Sequence, residues 1–277
     1  MTKTPDDKQK RYKLQLLWPV RPYPGIRLIY AVLCVALIWT ILHIAVGKTV
    51  IPSPWQTAVN LAALLPEISR HLAVSLLRIL AALLIATVTG TAIGLWIGLS
   101  HKADRLITPI VYLLYPLPKI AFLPILLILF GLGNAPKIIL IVIIIIFQMI
   151  IAARDGVHEI PPPLFHSVLS LGLGRWPLYR HLILPAVTPK MLTALRISIG
   201  VSISVLFFAE SFATTGGIGY FIMNSWLMVN YVDMFSGIVA LGLLGLLLFS
   251  LVDWLEHRIC RWVKAGGLNN TVGDSSR

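Results

Sequence analysis

Apolar runs long enough to cross a bilayer alternate with short polar or turn-rich stretches along most of this chain. The first, residues 28–46, reads LIYAVLCVALIWTILHIAV, and about 20 such residues match a hydrocarbon thickness of ~30 Å. Gly47 and IPSP at 51–54 then signal turns, followed by a moderately amphipathic piece to Arg70, read as an external loop with a short interfacial helix. The second run, about 72–99, is rich in Ala, Gly and Thr. Its Gly90, Gly94 and Gly98 recur every four positions, one helix face on which another helix can approach closely. A charged turn at 101–105 leads to a third run, about 106–131, where Pro116, Pro118 and Pro124 remove backbone donors and force kinks. GLGNAPK turns the chain into a fourth run at 136–152; a fifth occupies about 189–213 and a sixth about 235–255. Between the last two, TTGGIGYFIMNSWLMVNYVD is too apolar for a free linker and reads as a re-entrant or interfacial gate.

One stretch fits neither category. Residues 162–185 are too short and too polar to span, yet patterned. Leu164, Val168 and Leu171 form one apolar stripe on a short helix. Gly172 and Gly174 end that helix, and Arg175-Trp176-Pro177 opens a second turn carrying Arg180 and His181.

The pattern predicts an all-α membrane protein of six spans. It has a basic tail (1–27), a transmembrane domain (28–256) containing the elbow at 162–185, and a polar C-terminal tail (257–277). Composition agrees: 57% of residues are hydrophobic, 12% are charged and the mean hydropathy is +0.86. The net charge of +12 needs no nucleic acid, because its distribution accounts for it. Of 23 Lys and Arg, Lys48, Arg70 and Lys137 fall on one side, Arg78 and Lys119 lie within spans, and the rest fall in the tails, the 100–106 turn and the elbow region. Basic residues gather on the cytoplasmic side, so both termini and the elbow are expected there. The first run follows a long polar segment and lacks a small-x-small cleavage site, which reads as an uncleaved span.

Catalytic chemistry finds no foothold in the sequence. There is no P-loop, HExxH or GxSxG, and Cys34 and Cys260 offer neither a disulfide framework nor metal spacing. The expectation is a chain that is not an enzyme, with no metal site and no cofactor of its own. Its eleven acidic residues lie mostly in tails and loops, against a carboxylate proton relay.

At the elbow, Gly172 is followed ten positions on by Leu182-Ile183-Leu184-Pro185. SLGLGRWPLYRHLILPAVTP, PLPKIAFLPILLILFGLG (116–133) and AES…GGIGY (209–220) together resemble the ATP-binding-cassette importer permeases, in their nitrate/sulfonate/taurine branch. The resemblance covers roughly 70–262. Where that family has Glu-Ala-Ala, this chain has His166-Ser167-Val168. The resemblance implies a homodimer in the bacterial inner membrane with two cytoplasmic ATP-binding subunits, which would hold ATP and Mg, and an external solute-binding protein. The elbow would be the coupling helix, its ATPase-docking residues being His166, Ser167, Leu171, Gly172, Arg175, Trp176, Leu184 and Pro185. On composition alone the same segment reads as an amphipathic helix resting on headgroups through Trp176 and Tyr179; the family spacing favours docking.

Within the spans, Lys119 lies about 13 residues into a run of roughly 26, near mid-membrane at ~1.5 Å per residue. A cation there faces a cavity or a partner. It suits an anion in the pathway, or equally a backbone carbonyl freed by Pro116 or Pro118, or a side chain snorkelling to the interface if the span begins later. Glu210 could line the pathway or close a gate, or pair with Arg78. Gln148 and Ser202, with Ser198 and Ser204, could line a polar path or join helices. A small anion such as nitrate, sulfonate or taurine is the expected solute, with a cofactor precursor such as a pyrimidine as the other candidate. An ion-coupled secondary transporter or a channel is the competing class; it would carry more intramembrane ionisable residues and an internal repeat.

Overall fold

The computed structural model describes residues 24–47, 50–170, 172, 174–212 and 214–260. Most of both predicted tails lies outside these limits. The described residues form helices joined by short turns and fall into two units that divide after Thr57. Among the described residues, five helices are long and apolar enough to cross a membrane, or six if one sharply bent pair counts as a single span.

In the first unit, α1 (Pro24–Val46) is the expected first span. The turn after it folds back on its end: Trp39 Nε1 donates to Pro52 O at 3.1 Å, and His43 Nδ1 lies 2.5 Å from Ile51 O. Helix α2 (Pro54–Ala63) straddles the boundary between the units. Ser53 opens it by a reciprocal exchange with Gln56, each side chain accepting from the other's backbone N–H at 3.1 Å.

The second unit is built on α3 (Leu65–Leu99) and α6 (Ala135–His158). Helix α3 begins seven residues before the expected span, because Pro66 suits a first turn and Glu67 complements the helix dipole there. The glycine face of α3 meets α6 as expected. A Cβ added at Gly94 would stand 2.4 Å from Ile150 O, and one at Gly90 2.6 Å from Met149 Cβ. Around this seam pack α9 (Leu184–Ser211) and α11 (Tyr231–Ile259), enclosing Ile79, Ala86, Ile145, Met149, Ile199 and Leu206. Arg196 of α9 joins α11 through Asp253 and Glu256.

The third expected span departs most from its sequence reading. It is no kinked continuous helix but α4 (His101–Leu114), a 3₁₀ turn (Lys119–Phe122) and α5 (Leu123–Phe130), bent by 80° at the break. Pro116 and Pro118 stand in that break, where they cannot continue the ladder of α4. Helix α9 starts at Leu184 and carries Pro189 within it, five residues ahead of the expected fifth span. The apolar loop before the sixth span folds into α10 (Ile218–Leu227), whose Ile218, Phe221 and Ile222 are buried in a second apolar cluster with Ile68 and Ala240.

Candidate functional site

The elbow consists of α7 (Pro162–Ser170), a short turn α8 (Arg175–Leu178), and a five-residue π turn (Tyr179–Ile183) that runs directly into α9. Its base is embedded: Ile183 is buried, and Phe165, Leu178, Tyr179 and Leu182 pack against the main core. The inward residue of α7 is thus Phe165 with half-buried Val168, whereas Leu164 of the expected stripe is exposed. Leu171, the third member, lies outside the described residues. His166 and Ser167 are exposed, Ser167 Oγ donating to Pro163 O at 2.9 Å. Gly172 is exposed at φ +69°, a left-handed turn with open space where a Cβ would stand. Trp176 is 71% exposed and Leu184 40%. Arg175 opens α8, and Pro185 sits in the first turn of α9. Across the foot of the elbow, Lys190 Nζ pairs with Glu159. The assembly offers an exposed polar and aromatic face on a base that packs against the core and runs into α9.

A groove opens beside α9. One cavity of about 300 Å³ is lined by Tyr115, Gln148, Asp155, Lys190, Thr193 and Ile197. A second, of about 310 Å³, shares Tyr115 and Gln148 and adds Lys119 and Ile144. A third, of about 260 Å³ and almost wholly apolar, lies beyond Ile120 and is bounded by Leu123, Phe208 and Phe212. Lys119 and Gln148, proposed from sequence as pathway residues, therefore meet at one cavity. Lys119 also satisfies the alternative reading: Nζ donates to Tyr115 O at 2.7 Å, a carbonyl left open by the break, and lies 4.6 Å from the Phe147 ring centroid. Gln148 Oε1 accepts from Ser198 Oγ at 2.8 Å. Ser202 is buried and donates to Ser198 O at 2.6 Å. Ser202 and Glu210 line none of these three cavities. The groove's Asp155, Lys190 and Thr193 were not singled out in the sequence: Asp155 sits in a connecting stretch, Lys190 and Thr193 at the start of the expected fifth span, and none belongs to a motif.

Glu210 is instead the centre of a buried polar network. Its carboxylate accepts from Arg78 Nη1 at 2.6 Å, from Ser75 Oγ at 2.8 and 2.9 Å, and from the Gly219 N–H at 2.9 Å. The ion pair with Arg78 is the pairing that the sequence offered. Arg78 further donates to Gly216 O at 2.8 Å and, through Nε and Nη2, to Asn134 Oδ1 at 2.9 and 2.7 Å. The Ile218 N–H donates to Ser75 Oγ at 2.8 Å and the Gly217 N–H to His71 Nδ1 at 3.3 Å. Gly217, at φ +119°, has no room for a side chain: a Cβ would fall 2.3 Å from the Glu210 carboxyl carbon. The glycines of the AES…GGIGY stretch thus let the loop close over the carboxylate. Lys137, expected in an outer loop, is fully buried in the first turn of α6, with Nζ donating to Leu132 O and Gly133 O at 3.0 and 2.9 Å.

Apolar helices of spanning length, a rigid polar elbow and a groove along the helix that leaves it describe a multi-span membrane permease. The chain belongs to the binding-protein-dependent transport system inner membrane component family, whose model matches residues 90–263. It is 29% identical to the taurine transport system permease protein TauC of Escherichia coli (strain K12), over 93% of this chain and 96% of that one. It is 33% identical to the nitrate import permease protein NrtB of Leptolyngbya laminosa, over 68% of each. Among solved structures, the MetNI methionine ABC transporter in an inward-facing form matches with a TM-score of 0.58 at 19% identity, over 71% of this chain and 95% of that one. That last likeness concerns the fold. The chain is an ABC importer permease of the nitrate/sulfonate/taurine branch.

Proposed function

We propose that this permease couples ATP hydrolysis in separate cytoplasmic subunits to the import of a small organic or inorganic anion, acting as a homodimer. The observation that carries the reading is the elbow: an exposed face at His166, Ser167, Gly172 and Trp176, on a base whose Ile183 is buried and whose chain continues unbroken into α9. A partner pressing on such a face moves α9, and the groove lies along α9. Each partner ATPase would hold ATP and Mg. Its closure would draw two elbows together and open the pathway outward to receive solute from an external binding protein. Hydrolysis would reset the cycle. Both termini and the elbow then lie in the cytoplasm, in line with the basic residues of the elbow region. The anion class rests on the cation Lys119 beside the groove and on the taurine and nitrate named in the relatives' descriptions.

The test is co-purification of the tagged protein from its native membrane in mild detergent, beside a variant carrying Gly172→Glu and Trp176→Glu. An ATP-hydrolysing subunit should accompany the wild type and be lost from the well-folded variant. A well-folded wild type that brings down no ATPase would refute the docking claim.

A further inference from the structure

The Arg78–Glu210 network lies at the end of α9 opposite the elbow. Glu210 is the penultimate residue of a 28-residue helix, so its carboxylate stands ~40 Å along the axis from Leu184 at ~1.5 Å per residue. At that end, Gly216 and Gly217 of the loop and Ile218 and Gly219 of the first turn of α10 each give one backbone group to a side chain of α3 or to Glu210. Through Arg78 and Asn134 the same network holds the turn ahead of α6. Four parts of the outer end are therefore tied to one carboxylate: α3, the end of α9, the loop and first turn of α10 at 216–219, and the α5–α6 turn. A carboxylate and a guanidinium this deeply buried do not separate cheaply, since each would be left uncompensated. The network is a fixed joint between α9 and its neighbours.

We propose that Glu210 is a positioning residue for coupling: with Arg78 and Ser75 it is the far anchor of a lever formed by α9, and carries displacement of the elbow to the outer end of the groove. The inference rests on the coupling reading above. It differs from a purely structural latch in what it predicts. A latch, once loosened, changes stability alike in every nucleotide state; a lever anchor, once loosened, disconnects the outer end from the nucleotide state.

The experiment uses the full complex with its ATPase subunits, in a background where Cys34 and Cys260 are replaced by serine and alanine. A single cysteine at exposed Phe212, next to the anchor and at the mouth of the apolar cavity, is labelled with a maleimide. Labelling is timed in the nucleotide-free state and in the ATP–vanadate-trapped state. In the wild type the two rates should differ by about fivefold or more, the scale of ordinary site-to-site coupling. In Glu210→Gln, ATP hydrolysis should persist while that difference collapses towards unity. Ser75→Ala, which removes one hydroxyl from the network, should give an intermediate ratio; it also serves if Glu210→Gln does not assemble. An unchanged ratio in the variants, no nucleotide dependence at Phe212 in the assembled wild type, or failure of both variants to assemble would overturn the proposal. Absence of an ATPase from the wild-type complex would instead refute the coupling reading itself.

Discussion

The glycine seam between α3 and α6 gives a direct test of the packing. Replacing Gly94 by alanine adds one methyl group 2.4 Å from Ile150 O, 2.7 Å from Ala153 Cβ and 3.1 Å from the Ile150 carbonyl carbon. None of these atoms is the end of a flexible side chain, so relief requires the two helices to part by about 1 Å. Parting them also loosens the contacts of Gly90 with Met149 and of Gly98 with Val157. Overpacking of this kind costs about 1–3 kcal/mol. Against it stands the helix preference of alanine over glycine, at most about 1 kcal/mol. The net expectation is a loss of about 1–2 kcal/mol, the smaller figure if the seam yields. Gly242 provides the control: it is exposed in α11 with nothing within 4 Å of an added Cβ. Gly242→Ala should leave stability unchanged or raise it by up to about 1 kcal/mol. The assay is apparent melting of the detergent-solubilised protein, followed by fluorescence-detected size exclusion after heating. Equal melting of Gly94→Ala and Gly242→Ala would refute the close approach.

Three further outcomes follow from the groove, the loop and the elbow. Lys119→Gln should sharply lower anion uptake in reconstituted vesicles while ATPase association is retained; unaltered uptake would remove Lys119 from the pathway. Gly217→Ala combines a positive φ of 119° with a clash at Glu210. It should cost several times the ~1 kcal/mol typical of a point substitution, seen as loss of the monodisperse peak on size exclusion, and a variant as stable as wild type would contradict the loop geometry. Gly172→Val, at φ +69° in open space, should strain the elbow by about 1–2 kcal/mol. Co-purifying ATPase should fall while melting of the membrane helices holds, and undiminished ATPase would argue against the turn's role.

The apolar runs made the spanning helices legible, because twenty consecutive apolar residues have few other uses. The four-residue glycine repeat likewise foretold where two helices approach. What the sequence hid depends on distant partners. Nothing near Lys137 announces that it is buried, since the two carbonyls that hold it belong to a turn whose shape only the fold defines. The Arg78–Glu210 pair could be named from two charges at matching depths. Ser75, Asn134 and His71 could not, being common residue types that join the network from separate elements. At the elbow the family spacing located the segment, but local periodicity chose Leu164 as the inward residue where the core accepts Phe165. Prolines marked the break after α4 but not its 80° angle.

Helix α3 carries both the polar network and the glycine seam on 35 unbroken residues. Because each residue turns the helix by about 100°, the two are locked in rotational phase. Inserting one residue between Arg78 and Gly90 would leave every side chain intact yet swing the seam about 100° away from α6. In this chain, length between those two landmarks is as strictly specified as composition.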